Sequence, residues 1–206
     1  MTAAQRERTA LVESLRAVGP DEPTLCEGWQ TRDLAAHLYI RERRLDATGG
    51  ILIPALSSYT EKVQDRVAST IDFDELIEKV GSGPPVYSPF KLFDAVANLA
   101  EMFIHHEDVR RAQPGWEPRP LDDATVKGLS RTLSLMPRLT LAKAPARTSL
   151  RTPDGKTWVT AGRGTPVTVT GPVPELLLFA VGRDARVEFD GDVAAVQALR
   201  DAPKGL

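Results

Sequence analysis

The chain has 206 residues and lacks several features that would assign it to a class at once. It has a single cysteine, Cys26, which excludes an intramolecular disulfide framework and a zinc ribbon and fits a reducing compartment. It has no run of about 18 apolar residues, the length that a membrane-spanning helix requires. Its first residues alternate between charged and apolar side chains, without a signal-peptide core. We therefore expect a cytoplasmic protein with no membrane partner.

Basic residues are not in excess either. The chain carries 26 Lys and Arg against 28 Asp and Glu, with a formal net charge of −2. A protein that follows a nucleic-acid backbone needs clustered Lys and Arg well in excess of acidic residues, so we expect no nucleic-acid partner. With 42% hydrophobic residues the chain can bury a sizeable core. The composition does not distinguish a monomer from a homodimer.

The periodicity of the apolar residues predicts two different regions. Helical spacing predicts helices at 3–18, 31–47, 57–68, 73–80, 89–112 and 121–138. From Ala146 onward the spacing changes to the two-residue alternation of strands, with Asp154-Gly155 as a hairpin turn. The last elements are predicted to be a helix at 172–181, a strand at 186–189 and a helix at 192–200. The sequence thus predicts a mainly α protein, with a helical bundle over 1–145 and a small α+β domain over 146–206.

The predicted helix at 89–112 carries a polar stripe among apolar residues. The stripe consists of Asp94, Asn98, Glu101, His105 and Asp108. At about 100° per residue, these five positions share one face within an arc of roughly 80°. The helix has no cation between Lys91 and Arg110. Acceptors and an imidazole without cations are typical of a metal site rather than of a solvated surface.

A ligand set follows from this stripe. Glu101 and His105 are four residues apart, so they stand one above the other and can bind the same ion. The one histidine outside this helix is His37. It lies on a line of polar residues along the otherwise apolar helix predicted at 31–47. Two His and one Glu with an open position are the ligands of catalytic zinc, and they also suit nickel, iron or manganese. The alternative is that His37 is a hydrogen-bonded core residue and that His105 forms a local network with Asp108.

The neighbours of these residues have predicted supporting roles. Asn98 and Asp108 can orient the ligands, because a metal-bound histidine donates its other N–H to an acceptor. Hydrogen bonding between helices explains both residues equally well. His106 lies about 100° from His105 around the helix, so we expect it behind the ligands or at the surface, and not on the ion. Cys26 is expected to be a small buried hydrophobe rather than a fourth ligand or a nucleophile.

Two segments of the chain resemble a known family. They are LCEGWQTRDLAAHL at 25–38 and EMFIHHED at 101–108. Together they resemble the actinobacterial branch of the DinB-like metal-binding superfamily, which includes the mycothiol-dependent maleylpyruvate isomerases. The positions that match are Trp29 and His37 in the first segment, and Glu101 and His105 in the second.

The resemblance implies a DinB-like four-helix bundle that binds a divalent metal, commonly zinc, followed by a small C-terminal domain. It also implies that mycothiol, a low-molecular-weight thiol, occupies the open position and reacts with a small electrophile by isomerisation or transfer. Gly182-Arg183 is similar to the place where the isomerases bring in an arginine from the C-terminal domain. The cations available to bind thiol or substrate are Arg41, Arg44 and Arg183. The alternative is a non-catalytic metal-binding or stress-response module without the thiol pocket.

Overall fold

The computed structural model describes residues 1–44, 46–47, 57–88 and 95–203. The packing divides the chain into two compact units, Met1–Pro120 and Leu121–Leu206. The domain boundary predicted between residues 145 and 146 is the position where the apolar periodicity changes, whereas the two units are defined by packing. The predicted boundary stays a prediction. No helix among the described residues is both long enough and apolar enough to cross a membrane.

The first unit is helical. Its helices are α1 (Ala3–Val18), α2 (Thr31–Arg43), α3 (Ser57–Thr70), α4 (Phe73–Gly81) and α5 (Ala95–Arg111). The helices predicted at 3–18, 57–68 and 73–80 correspond to α1, α3 and α4. The predicted start of α5 at residue 89 and Asp94 of the polar stripe lie outside the described residues.

Local sequence signals set the ends of α1. Thr2 caps the helix in a capping box: its side chain accepts from the Gln5 backbone N–H, and the Gln5 side chain accepts from the Thr2 backbone N–H. Both of these backbone donors would otherwise lack a partner at the helix start. Gly19 ends the helix with a φ of 88°, a backbone conformation that residues with a Cβ rarely adopt.

One apolar core holds these helices together as the predicted bundle. It is built from residues of all five helices, and α4 packs against α1 and α2. Its buried residues include Leu11, Leu15, Leu34, Leu38, Val63, Val67, Leu76, Ile77 and Met102. Burying one such side chain contributes about 1.5–3 kcal/mol to folding. The core thereby holds α2 and α5, which carry the predicted ligands.

The second unit combines short helices with one sheet. Its elements are α6 (Asp123–Leu133), α7 (Pro137–Thr140), β1 (Arg147–Arg151), β2 (Thr157–Ala161), β3 (Pro166–Thr170), α8 (Val173–Ala180), β4 (Glu188–Gly191) and α9 (Val193–Asp201). The single helix predicted over 121–138 is wrong: α6 ends at Leu133, and Pro137 begins the separate turn of α7. Proline has no N–H to continue a helix, and it is favoured at the start of one.

The sheet has the strand order β2-β1-β3-β4. β1 pairs antiparallel with β2 and parallel with β3, and β3 pairs antiparallel with β4. Its apolar face carries the buried residues Leu150, Val159, Val167 and Val169. Alternating side chains of a strand point to opposite faces, which explains the alternation seen in the sequence. The mainly α fold with a small α+β region is confirmed.

Candidate metal centre

The polar stripe of α5 lies along an otherwise apolar helix. Asn98, Glu101 and His105 are partly buried, and Asp108 is fully buried. The core side of α5 consists of Leu99, Ala100, Met102, Phe103 and Ile104. Because the core fixes the rotation of α5 about its axis, the polar side chains share the other side of the helix.

α2 presents a shorter polar line, made of His37 and Arg41. On the same helix Leu34 and Leu38 are fully buried, so core packing sets the direction of the polar line. The ring of Trp29 packs against the ring of His37, with centroids 5.1 Å apart and planes inclined by 44°. This contact limits the orientations open to the His37 ring.

His37, Glu101 and His105 converge. Glu101 Oε1 lies 3.7 Å from His37 Nε2 and 3.4 Å from His105 Nε2. One ligand atom from each of the three residues lies within 4.8 Å of the others. Two ligands at about 2.0–2.2 Å from a tetrahedral zinc are roughly 3.3–3.6 Å apart. The residues therefore fit the divalent metal that the resemblance implies, with a coordination position left open, and metal binding itself stays a prediction.

Asp108 lies behind His105. Its Oδ2 is 3.0 Å from His105 Nδ1. An ionised carboxylate only accepts hydrogen bonds, so Nδ1 carries a proton and donates it, and Nε2 is the nitrogen available to a metal. A carboxylate in this position is the usual second partner of a ligating histidine. The contact therefore supports the orienting role predicted for Asp108.

The three predicted ligands influence one another's charge. Burial by itself would raise the pKa of Glu101, but hydrogen bonds from His105 and His37 hold its pKa well below the usual range. Burial opposes a charge on His105, but hydrogen bonds with Asp108, Cys26 and Glu101 raise its pKa well above the usual value. Burial is the main cause of the lowered pKa of His37. Glu101 is thus ionised and His37 neutral, which are the forms that bind metals, whereas His105 has to release its Nε2 proton before that nitrogen can bind one.

Arg41 is a cation beside this group. Its Nε lies 3.3 Å from Glu101 Oε1, and its Nη1 donates to Asn98 Oδ1 at 3.3 Å. Its side chain is only 10% exposed. A buried guanidinium requires such partners, because an unpaired buried charge is costly. The structure thus places one of the predicted thiol-binding arginines next to the ligands, with Asn98 holding it, while its binding role stays a prediction.

The other two predicted arginines make contacts elsewhere. Arg44 Nη2 lies 2.7 Å from Asp46 Oδ2, and both side chains are exposed. This hydrogen bond holds the pKa of Asp46 well below its usual range. Arg183 is in the second unit, where its guanidinium donates to the Val181 carbonyl at 3.3 Å and lines a cavity of about 340 Å³. Roles for both in binding thiol or substrate stay predictions.

His106 points toward α1. Its Nδ1 lies 2.8 Å from Glu7 Oε1, and its Nε2 lies 2.9 Å from Ser14 Oγ. The residue is only 3% exposed, so it is not at the surface. Because both of its ring nitrogens are used by α1, His106 stabilises the pairing of α1 with α5.

Glu7 lies in a polar cluster with His106 and Arg119. Arg119 Nη1 donates to Glu7 Oε2 at 3.1 Å, and Arg119 Nε donates to Glu107 Oε1 at 2.8 Å. Burial by itself would raise the pKa of Glu7, but the hydrogen bonds from His106 and Arg119 hold its pKa below the usual value. The ionised Glu7 therefore stabilises the fold above the unfolded pKa of about 4.3, and this stabilisation is lost as the pH falls through the lower folded pKa.

We expect Glu7→Gln to lower the free energy of unfolding by about 3 kcal/mol near neutral pH, because Arg119 loses a buried carboxylate. The difference from the wild type should shrink as the pH falls below about 4. Urea unfolding at a series of pH values measures it. Glu13→Gln, on the exposed side of α1, is the matched control and should change little. A difference that grows on acidification would contradict the prediction.

Cys26 is the residue whose surroundings the sequence did not predict. Its Sγ donates to Asp108 Oδ2 at 3.2 Å and lies 3.9 Å from His105 Nδ1. The loop that carries Cys26 is joined to α5, because the Leu25 backbone N–H donates to the Asp108 carbonyl at 3.0 Å. Cys26 and Asp108 are 82 positions apart, so no periodicity relates them. The one available signal is that Cys26 lies in the segment 25–38, which also contains His37.

Comparison with known proteins agrees with the resemblance. Residues 1–68 match the family model of the mycothiol maleylpyruvate isomerase N-terminal domain. Two solved structures are similar to this chain: the crystal structure of the mycothiol-dependent maleylpyruvate isomerase and the crystal structure of a mutant of it. Each has a TM-score of 0.52 and 16% sequence identity, and each comparison covers 93% of this chain and 92% of the isomerase chain. At this identity they show a shared fold. No curated protein sequence matches.

The bundle with its small α+β region has the fold of the mycothiol-dependent maleylpyruvate isomerase along almost the whole chain. The match of residues 1–68 then confirms the resemblance to the mycothiol maleylpyruvate isomerase branch of the DinB-like proteins.

Proposed function

We propose that this protein binds a divalent metal, with zinc as the first candidate and nickel as another, and uses it with mycothiol to isomerise a small electrophile or to transfer the thiol to it. The observation that carries the proposal is the convergence of His37, Glu101 and His105, whose ligand atoms lie within 4.8 Å of one another. The match of residues 1–68 to the isomerase N-terminal domain supports the choice of thiol.

A free thiol has a pKa near 8.5 and is mostly protonated at neutral pH, which makes it a poor nucleophile. The chemistry that a divalent ion supplies in such a site is a lowered pKa of the thiol that binds it. The protein's contribution is to hold the ligands, to leave a position for the thiol sulfur, and to bind the rest of the thiol and the electrophile nearby.

Three side chains would support this site. Asp108 keeps a proton on His105 Nδ1, so that Nε2 faces Glu101 and His37. Trp29 covers one side of the His37 ring and holds its orientation. Arg41 places a positive charge beside Glu101, where it can attract a carboxylate of the thiol or of the electrophile.

The proposal is tested by measuring whether turnover requires both the metal and mycothiol. Untagged protein loaded with zinc is assayed with and without mycothiol, using maleylpyruvate to detect isomerisation and an activated aryl halide to detect transfer. Consumption of either electrophile should need both the metal and mycothiol, and glutathione serves as the control thiol. If zinc binds stoichiometrically but mycothiol at millimolar concentration gives no heat of binding, the non-catalytic metal-binding or stress-response module is the better description.

We expect Arg41→Gln to raise the KM for mycothiol or for an anionic electrophile by about 10- to 100-fold, because a charge-assisted hydrogen bond contributes about 1.5–3 kcal/mol. Steady-state kinetics on the zinc-loaded protein measure this. Arg44→Gln is the matched control, since it removes the same charge from the exposed pair with Asp46. Equal effects of the two variants would indicate a response to net charge and contradict a local role for Arg41.

A further inference from the structure

A second group of metal-ligating atoms lies on the other side of the His105 ring. It consists of Cys26 Sγ, His105 Nδ1 and Asp108 Oδ2, which lie within 4.8 Å of one another. The first group uses Nε2 of the same ring. We propose that this second group is a binding site for a thiophilic divalent cation, of the class of zinc and cadmium, and that it shares only the His105 ring with the candidate metal centre.

The distances match an ion of this kind. Asp108 Oδ2 lies 3.2 Å from Cys26 Sγ and 3.0 Å from His105 Nδ1, and the sulfur is 3.9 Å from Nδ1. With zinc bonds of about 2.3 Å to sulfur and about 2.0–2.2 Å to nitrogen and oxygen, neighbouring ligands of a tetrahedral ion are roughly 3.3–3.7 Å apart. Side-chain shifts of a few tenths of an ångström therefore place all three atoms around one ion.

The same contacts show which protons the ion replaces. Cys26 and His105 Nδ1 both donate to Asp108, and each of these donors becomes a metal ligand when its proton leaves. The thiol proton goes to solvent. If the His105 ring already carries two protons, its Nδ1 proton also goes to solvent. If the ring carries only the Nδ1 proton, that proton leaves and a proton binds at Nε2 instead. The Nε2–H then faces Glu101 Oε1, which lies 3.4 Å away. One proton is thus left on the ring.

The charge of the second group suits a thiophilic dication. A thiolate and a carboxylate bring two negative charges, and the imidazole is neutral, so the charge of the ion is balanced. The first group brings one carboxylate, which already faces Arg41. Thiolate ligands select thiophilic ions, whereas imidazole and carboxylate accept a wider range. Cadmium, the more thiophilic of the two ions, should therefore favour the group that contains Cys26.

The backbone holds the sulfur in this position. The Cys26 N–H donates to Thr24 Oγ1 at 3.2 Å, and the Cys26 carbonyl accepts from the Trp29 N–H at 2.9 Å. His105 and Asp108 are one turn apart on α5, so their spacing is fixed by the helix. Cys26 is only partly buried, which leaves a path from solvent. Ligands on rigid elements lose little conformational freedom when an ion binds.

The two groups share one imidazole and therefore compete. A ring that keeps one proton offers one free nitrogen, so an ion bound at Nδ1 takes the Nε2 lone pair away from the first group. Cadmium bound by the second group would then displace the metal of the candidate centre. This consequence rests on the proposed metal centre, but the second site itself does not.

The experiment titrates metal-free protein with cadmium alone, in the absence of any added thiol. Cys26 is the only cysteine of the chain, so any thiolate-to-cadmium charge-transfer absorption arises from it. We expect this absorption in the wild type and in Glu101→Gln, which removes a ligand of the first group only, and we expect none in Cys26→Ser. Cadmium should also slow alkylation of Cys26 by iodoacetamide in the wild type and in Glu101→Gln.

Two results would overturn the proposal. One is cadmium binding by Glu101→Gln without charge-transfer absorption and with an unchanged alkylation rate. The other is wild-type cadmium affinity in Asp108→Asn with the absorption retained, because Cys26 would then bind cadmium without the three-residue site. Zinc binding by Cys26→Ser reports on the first group alone, so failure of the proposed function and failure of the second site are distinguishable.

Discussion

Replacing His105 with alanine is expected to remove stoichiometric metal binding, whereas replacing its neighbour His106 with glutamine is expected to preserve it. Nε2 of His105 faces the other two predicted ligands, Glu101 and His37, whereas both ring nitrogens of His106 contact side chains of α1. Loss of one of three protein ligands should weaken binding by more than about 100-fold, beyond the effect of losing a supporting partner. Elemental analysis after dialysis and zinc titration measure the effect.

His106→Gln also serves as the control for folding. It removes a buried contact with Glu7 and should lower the unfolding temperature, yet it should retain one zinc per chain. His105→Ala should keep the helical circular dichroism of the wild type and lose the zinc. If both variants lose the metal to the same extent, the loss reflects damage to α5 and the assignment of His105 as a ligand is wrong.

Asp108→Asn is expected to lower zinc affinity by about 10- to 100-fold without abolishing binding. Asparagine keeps the size of aspartate and one acceptor oxygen, but it loses the charge that holds the Nδ1 proton of His105. The fold-change corresponds to about 1.4–2.7 kcal/mol. Competition with a chromophoric chelator measures it.

Asp33→Asn is the matched control for this variant. Asp33 lies at the start of α2, where its carboxylate accepts from the Gln30 backbone N–H at 2.9 Å. The change removes the same charge from a helix cap and should leave zinc affinity unaltered. An Asp108→Asn protein with wild-type affinity would show that Asp108 does not orient a ligand.

Helical periodicity predicted the helices of the first unit because each of them buries one face in a common core. The prediction for 3–18 agrees with α1 residue for residue. It failed at 121–138, where the apolar pattern continues through Pro137 but the backbone does not. Apolar spacing reports which faces are buried and not whether every hydrogen bond along the helix can form.

The candidate site was predictable to the extent that it lies on helices. Glu101 and His105 are related by a local rule, and His37 was the one histidine left to complete the set. Cys26 and Arg41 meet His105 and Glu101 across long stretches of chain, at 3.9 Å and 3.3 Å. No local rule predicts these contacts, because they depend on how the loop before α2 and the α2 helix itself lie against α5.

The sequence alone therefore determined which side chains share a face of each helix, since that depends only on the geometry of the helical backbone. It also determined that the polar stripe of α5 carries acceptors and an imidazole without a cation. The tertiary structure decided which nitrogen of His105 faces which partner, that His106 contacts Glu7, and that Cys26 lies beside Asp108. These depend on the packing of helices whose relative rotation is set by the whole core, so they exist only once the bundle has formed.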